Sequence, residues 1–350
     1  MLEVPADVAR RSYDVVLSRE PPKGPVAEWL AAERAAGRRV VVAGEGSLEA
    51  RLREANVVDG VYVSSDEDSA VERETARRHG LRVVEGSSRS GLAAPFPRVS
   101  IVIPTHDGGS LVSACLRALL RNTPWPGLEI IVVDNGSQDR TRVVLETFAR
   151  RDGIVLIVNS RNEGFAAATN QALRRATGEI VVLLNDDTVV GPGWLSRLVA
   201  HLEVDPTLGL LCPVTNAIGN DAKIAVDYDS FDAMEAFTHA RLFEHPGKRR
   251  PIETVALFCA AARRETLERE GFLDERYAVG MFEDDDLSRT LAARGLAHAI
   301  ALDSFVHHVG QASFARLTDA EYLSVWRANR KRFEDKWGVR WTPPGAPRGA

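Results

Sequence analysis

The sequence predicts an α/β protein in which a mostly parallel sheet carries helices on both faces, preceded by a small Rossmann-like α/β unit. Three observations carry this. Short apolar, β-branched runs alternate with amphipathic stretches along most of the 350 residues. In the second, longer series the runs are apolar without alternation, as strands covered on both faces must be. Ser87–Pro97, rich in Ser, Gly, Ala and Pro, separates the two series as a linker would.

The first series runs YDVVLS, PVAEWLAAERAAG, RRVVVAGEG, SLEARLREAN, VDGVYVSS, a charged helix and LRVVEG, from Tyr13 to Gly86. Strand and helix alternate, so residues 1–97 are predicted to form a small parallel unit plus linker. Gly44-Glu45-Gly46 follows one of its strands, but a G-x-G-x-x-G phosphate loop needs a third glycine where Glu49 stands. The second series is RVSIVIP (strand), SLVSACLRALLRN (helix), LEIIVVDNG (strand), RTRVVLETFARRD (helix), IVLIVNS (strand), GFAAATNQALRRATG (helix) and EIVVLLNDDT (strand). Residues 98–316 are predicted to fold around this sheet. Three of its strands end in polar clusters, PTHD, VDNGS and LLNDDT, and open parallel sheets bind ligands outside the carboxyl ends of their strands. After Asp205 the pattern loosens, and the polar stretch from Thr215 to Arg250 suits a binding loop or subdomain over that crevice. Residues 317–350 are predicted as a C-terminal helix and tail. Tyr322 to Trp341 reads as amphipathic, with Arg327, Arg330, Lys331 and Arg332 on a face that is either solvated or touches an anionic membrane.

Composition narrows the function. A net charge of -5 argues against a general nucleic-acid binder, and 45% hydrophobic with 27% charged residues is ordinary for a globular protein. Cys115, Cys212 and Cys259 are odd in number and have no metal-ligand spacing, which favours free thiols in a cytoplasmic setting. No segment reaches the roughly 20 apolar residues needed to cross a bilayer, so any membrane contact is expected to be peripheral.

Two acidic clusters carry the chemistry. Asn185-Asp186-Asp187 ends a buried strand. Adjacent buried carboxylates repel unless something positive joins them, and Mn²⁺ or Mg²⁺ takes one or two carboxylates plus water and substrate phosphates. The alternative is that both acids cap the following turn. Met281-Phe282 leads into Glu283-Asp284-Asp285-Asp286 at a helix start. Acids there suit the helix dipole, whereas the apolar approach would desolvate at least one of them into a competent general base. In Val306-His307-His308-Val309-Gly310 alternation turns one histidine inward, as a structural residue, a metal ligand or a phosphate contact. Trp194 suits either core packing or stacking on a sugar.

VSIVIPTHD, VVDNGSQD, NEGFAAATNQAL, LLNDDT, FLDERYAVGMFEDDDL and VHHVGQASF, in this order, resemble the family 2 glycosyltransferases of GT-A fold, with a rhamnosyltransferase-like cast. The resemblance spans residues 98 to 315 and implies site roles. Pro104 and Thr105 would line the base pocket, Asp134 would bond the nucleobase or ribose, and Asn135-Gly136-Ser137 would form the adjoining turn. Asn162 and Gly164 match an N-x-G element, with Asn170 holding structure. Asn185, Asp186 and Asp187 occupy the D-x-D position, with Asp187 as metal ligand and Asn in place of the first Asp. Glu283-Asp284 matches an E-D pair whose Asp is the catalytic base, with Asp285 as the alternative. His308, five residues before Ser313, would lie near metal and diphosphate. The implied reaction is inverting transfer of a sugar from a UDP- or dTDP-sugar to a glycan or lipid-linked acceptor, as in surface polysaccharide or O-antigen synthesis. A homodimer and a contact at the inner face of the cell membrane are compatible with it. Two rivals are a catalytically silent sugar- or partner-binding module on the same fold and a sugar-nucleotide pyrophosphorylase. The second wants a basic, Gly-rich loop after the first strand, where this chain has PTHDGGS.

Overall fold

The computed structural model describes residues 13–17, 39–43, 60–64, 82–86, 97–123, 125, 127–277, 279–310 and 318–343. Four short strands, β1 (Tyr13–Leu17), β2 (Arg39–Ala43), β3 (Gly60–Ser64) and β4 (Arg82–Gly86), form a parallel sheet in the order β2-β1-β3-β4. Each coincides with an apolar run of the first series. The helices expected between them, and Gly44-Glu45-Gly46, lie outside the described residues.

The second sheet has nine strands. Strand β5 (Val99–Thr105) leads through helix α1 (Gly109–Asn122) to β6 (Leu128–Asp134), then through α2 (Thr141–Asp152) to β7 (Val155–Val158). Helix α3 (Phe165–Arg175) returns the chain to β8 (Ile180–Leu184), on the other side of β5. Next come β9 (Thr188–Val190), α4 (Trp194–Val204), β10 (Leu208–Val214), α5 (Phe231–Glu244), β11 (Arg249–Pro251), β12 (Cys259–Arg263), α6 (Arg264–Glu270), α7 (Glu283–Ala292), β13 (Ala297–His308) and α8 (Asp319–Trp337). The order is β11-β13-β10-β12-β8-β5-β6-β7, with β9 on the end of β13. The antiparallel pairings of β12 and β11 leave the other six strands of this path pointing one way. Val99, Ile101, Val102, Ile103, Ile131, Val132, Val133, Val181 and Val182 are fully buried, as expected for strands covered on both faces.

Two features position the site. Strand β13 pairs with β10 along most of its length, and its last three residues then pair with β9, with His308 opposite Thr188. This register delivers His308 to the residue that precedes Thr188, Asp187, whose carbonyl accepts the Val309 N–H at 2.9 Å. The second feature is α5, which occupies part of the stretch expected to be irregular. Ser230 caps it by accepting the Ala233 N–H at 3.3 Å. Met234, Thr238 and Leu242 form its buried side, with Thr238 against Gly191 and Leu242 against Gly193. The polar stretch is therefore in part a packed helix behind the β9–α4 corner. Thr215 to Tyr228 keeps an irregular course.

Candidate active site

The carboxyl ends of β5, β6 and β8 converge as their polar residues predicted. Thr105 and Asp134 are register partners, and the Asn135 N–H donates to the Thr105 carbonyl at 2.8 Å. Asp134 is buried and accepts the Ser137 N–H at 3.0 Å, which closes the Asn135-Gly136-Ser137 turn. Gly136 has φ 77°, and a Cβ there would run into the backbone of Arg161, so only glycine fits. The Asn135 amide is spent inside the protein. Its Nδ2 donates to Asn162 Oδ1 at 2.9 Å and to the Gly164 carbonyl at 3.2 Å, while its Oδ1 accepts from Asn159 Nδ2 and the Glu163 N–H. Asn162 Oδ1 also accepts the Gly164 N–H at 2.9 Å. These contacts give Asn135, Asn162 and Gly164 a part in fixing the loops that bound the crevice. Asn170 ties α3 to the Leu273 backbone in both directions, at 2.8 and 3.0 Å, as its structural reading required.

The β8–β9 junction holds the paired carboxylates. Thr105 donates to Asp186 Oδ2 at 2.5 Å, and a Cβ on Gly108 would strike that carboxylate, so the loop after β5 closes tightly on it. Pro104, half-buried, stands beside this contact in β5. The Asn185 N–H donates to the Phe258 carbonyl at 2.8 Å, which locks the start of the turn. Asp187 is 5% exposed, and its Oδ1 has no hydrogen-bond donor. His308 Nε2 lies 3.3 Å from that oxygen, its Nδ1 lies 2.7 Å from the Ala217 carbonyl, and its ring stacks on Phe258. A neutral imidazole donating from Nδ1 to Ala217 turns its Nε2 lone pair toward Asp187. Two acceptors then face each other, and only a proton or a cation satisfies both. Burial alone would lower the His308 pKa, but the Asp187 carboxylate outweighs it and holds the ring above its usual value. This donor set, one carboxylate oxygen and one imidazole nitrogen, is compatible with a divalent cation that takes its other ligands from water and phosphate, since among the described residues no third His, Cys, Asp or Glu completes a metal-binding group.

The acidic turn differs in character. Val279, Met281 and Phe282 all have left-handed φ (67°, 78° and 74°), which is costly for non-glycine residues and needs support from outside the turn. Burial, then the charge of Asp284, raises the Glu283 pKa to about 8, and Glu283 Oε2 has no hydrogen-bond donor. Burial and the Asp284 charge likewise raise Asp285 to about 7, and burial raises Asp284. Asp284 Oδ1 accepts the Asp285 N–H at 3.0 Å. Asp286 is different: it accepts from Trp337 Nε1 at 2.8 Å, Lys336 Nζ at 2.7 Å and the Tyr277 hydroxyl at 3.2 Å, and so serves structure.

An open cavity of about 510 Å³ adjoins the Asp187–His308 pair, with Leu111, Ala114, Tyr228 and Asp229 among its walls. Tyr228 and Asp229 escaped the sequence reading because they sit in the irregular stretch. So did the hydrogen bond, at 2.6 Å, between the Tyr228 hydroxyl and His307 Nδ1. Asp107 was also missed: its Oδ1 accepts the Gln138 N–H at 2.6 Å, linking the loops after β5 and β6, and the signal was its place in PTHD. Trp194 is fully buried, with its indole N–H donating to Thr123, so it packs the core and is closed to sugar. Ser313 lies outside the described residues.

Residues 100–271 match the family model of Glycosyl transferase family 2, and this part of the chain belongs to that family. It is 30% identical over 185 residues to Glycosyltransferase AglE of Haloferax volcanii, covering 51% of this chain and 57% of that protein. It is 28% identical over 246 residues to the O-antigen biosynthesis protein RfbC of Myxococcus xanthus, covering 67% of this chain and 19% of that protein. The chain thus spans a little over half of one relative and a small part of the other. GalNAc-T7, crystallised with UDP, GalNAc and Mn²⁺, superposes with a TM-score of 0.51 at 18% identity, over 69% of this chain and 51% of that one. That likeness concerns the fold, which is of GT-A type.

Proposed function

We propose that the chain is a metal-assisted, inverting glycosyltransferase that moves a sugar from a UDP- or dTDP-sugar to an acceptor hydroxyl of a glycan or lipid-linked glycan, in surface polysaccharide synthesis. The observation that carries this reading is the approach of Asp187 Oδ1 and His308 Nε2 to 3.3 Å at the carboxyl end of β8. Thr105 and Asp134 lie one and two strands away in the same sheet and would hold the nucleoside. A divalent cation held by Asp187 and His308 would supply Lewis-acid stabilisation of the charge that grows on a departing diphosphate.

The protein's own groups do the rest. Thr105 keeps the Asp186 carboxylate turned onto the β5 loop, leaving the Asp187 side chain to face His308. Asp284 accepts the proton of the acceptor hydroxyl as that oxygen attacks the anomeric carbon. Burial makes its carboxylate a stronger base than an exposed one. Attack from the side opposite the leaving group inverts the anomeric configuration. Among the described residues no helix is long and apolar enough to cross a membrane. In α8, Arg330 and Lys331 are paired with Glu334 and Asp335 and Arg332 donates to the Asn329 amide, so a peripheral contact with an anionic surface would rest on Arg327, Arg332 and the exposed Tyr322 and Leu323.

The test is a transfer assay with Mn²⁺ and UDP-glucose, UDP-galactose, UDP-N-acetylglucosamine or dTDP-rhamnose, reading nucleotide release and then the anomeric configuration of the product by NMR. The proposal expects metal-dependent release with one of these donors and an inverted product. Release without metal, or retention of configuration, would overturn it.

A further inference from the structure

The left-handed turn at Val279–Phe282 needs support, and its support comes from the far end of the chain. Asn329 of α8 is 1% exposed, and its Nδ2 donates to the carbonyls of Gly280 at 2.8 Å and Met281 at 3.3 Å. Phe282 sits in an aromatic cluster with Trp326, Phe333 and Trp341, at ring separations of 6.1, 5.9 and 5.1 Å. Beyond the helix, the Trp341 N–H is anchored on Glu334 at 2.9 Å, and the Trp341 indole N–H donates to Asp285 Oδ1 at 3.2 Å. Lys336 and Trp337 at the end of α8 and Trp341 beyond it thus donate to the acids of the first turn of α7.

We propose that the C-terminal segment from Asn329 to Trp341 is a positioning element of the active site, with Asn329 holding the left-handed turn in shape and Trp341 fixing the Asp285 carboxylate beside Asp284. The proposal rests on the transferase reading for its catalytic consequence. It does not need that reading for its geometric part. The physical reasons are direct. Carbonyls in a strained turn relax unless a buried donor fixes them, and the Asn329 amide fixes two at once. The titratable groups facing Asp285 are acids, namely Asp284, Asp286 and Glu253, while Lys336 is engaged with Asp286 and Asp274. The Trp341 N–H is therefore a donor that offsets this crowding without adding charge.

The variants are Asn329→Asp, which keeps the Arg332 contact to Oδ1 and removes the two donations, and Trp341→Phe, which keeps an aromatic ring and removes the N–H. In Asn329→Asp, amide exchange across residues 279–286 is expected to speed up by ~10-fold, while exchange in β5 and β6 stays as in the parent. In Trp341→Phe, Asp285 loses its donor and holds its proton to higher pH, its charge no longer opposes ionisation of Asp284, and the acid limb of the pH profile for transfer is expected to move down by ~0.5 unit, a roughly threefold gain on that limb, with KM for the nucleotide sugar unchanged. A merely structural role would lower activity at all pH values and leave the limb in place. Unchanged exchange in Asn329→Asp overturns the clamp. A Trp341→Phe profile that superimposes on that of an active parent overturns the Trp341 role. If the parent transfers no sugar while Asn329→Asp still loses protection, the transferase reading fails and the clamp stands.

Discussion

Glu283, Asp284 and Asp285 crowd one helical turn with three carboxylates whose pKa values burial pushes up, and this gives two predictions at the level of single residues. Asp284→Asn removes the proposed base without changing size, so kcat should fall by ~10²–10⁴ while nucleotide binding, proposed for Thr105, Asp134 and Asp187, persists. Parallel kcat and nucleotide Kd measurements check this, and near-normal kcat would move the base elsewhere. Glu283 has a folded pKa near 8, above its unfolded value, so the fold binds more protons than the unfolded chain between those limits. Its contribution to stability is fully present below the unfolded carboxyl pKa and is lost as pH rises toward about 8. Glu283→Gln should therefore flatten the decline in stability across this window, read from urea unfolding at successive pH values. Identical slopes in parent and variant would mean that Glu283 is not desolvated. The acids themselves were legible in the sequence. Their division of labour was not, because Asp286 is set apart from its neighbours by Lys336 and Trp337, fifty residues away in the chain.

Among elements, strands were the easiest to read and α5 the hardest. Strands β5, β6 and β8 are uninterrupted apolar runs whose two-sided burial leaves no alternation to misread. Helix α5 hides among Asp232, Glu235, His239, Arg241 and Glu244, yet Phe231, Met234, Thr238 and Leu242 recur at helical spacing behind a serine cap. Ser230→Ala should cost ~1 kcal/mol, measured by denaturant unfolding, if α5 is an integral part of the domain. No change in stability would mean that its cap contributes nothing to the fold. The turn before α7 was beyond sequence reading for a different reason. Val279, Met281 and Phe282 are poor residues for left-handed backbone, and nothing local explains why they adopt it. The explanation is tertiary, in Asn329 and the aromatic cluster.

At the scale of the whole molecule, long-range register assembles the site. Asp187 and His308 meet because β13 leaves β10 for β9, and Asp186 is held by Thr105 from a strand eighty residues earlier. Motif order suggested that these residues belong together. Only the fold shows that Asp187 Oδ1 and His308 Nε2 lie 3.3 Å apart, an approach that a proton or a divalent cation would satisfy. Cys115 packs against the β8–β9 turn, its Sγ 3.8 Å from the Asn185 carbonyl and 3.6 Å from Thr188 Oγ1. Cys115, Cys212 and Cys259 are buried, and burial pushes the first two up to about 12, which leaves them inert. The most direct test is a calorimetric titration of UDP and dTDP into the parent and Asp187→Ala, each with and without Mn²⁺. The account predicts that at least one nucleotide binds the parent, that Mn²⁺ strengthens this binding, and that Asp187→Ala removes the gain. Binding that ignores both Mn²⁺ and Asp187, or no binding of either nucleotide, would contradict it.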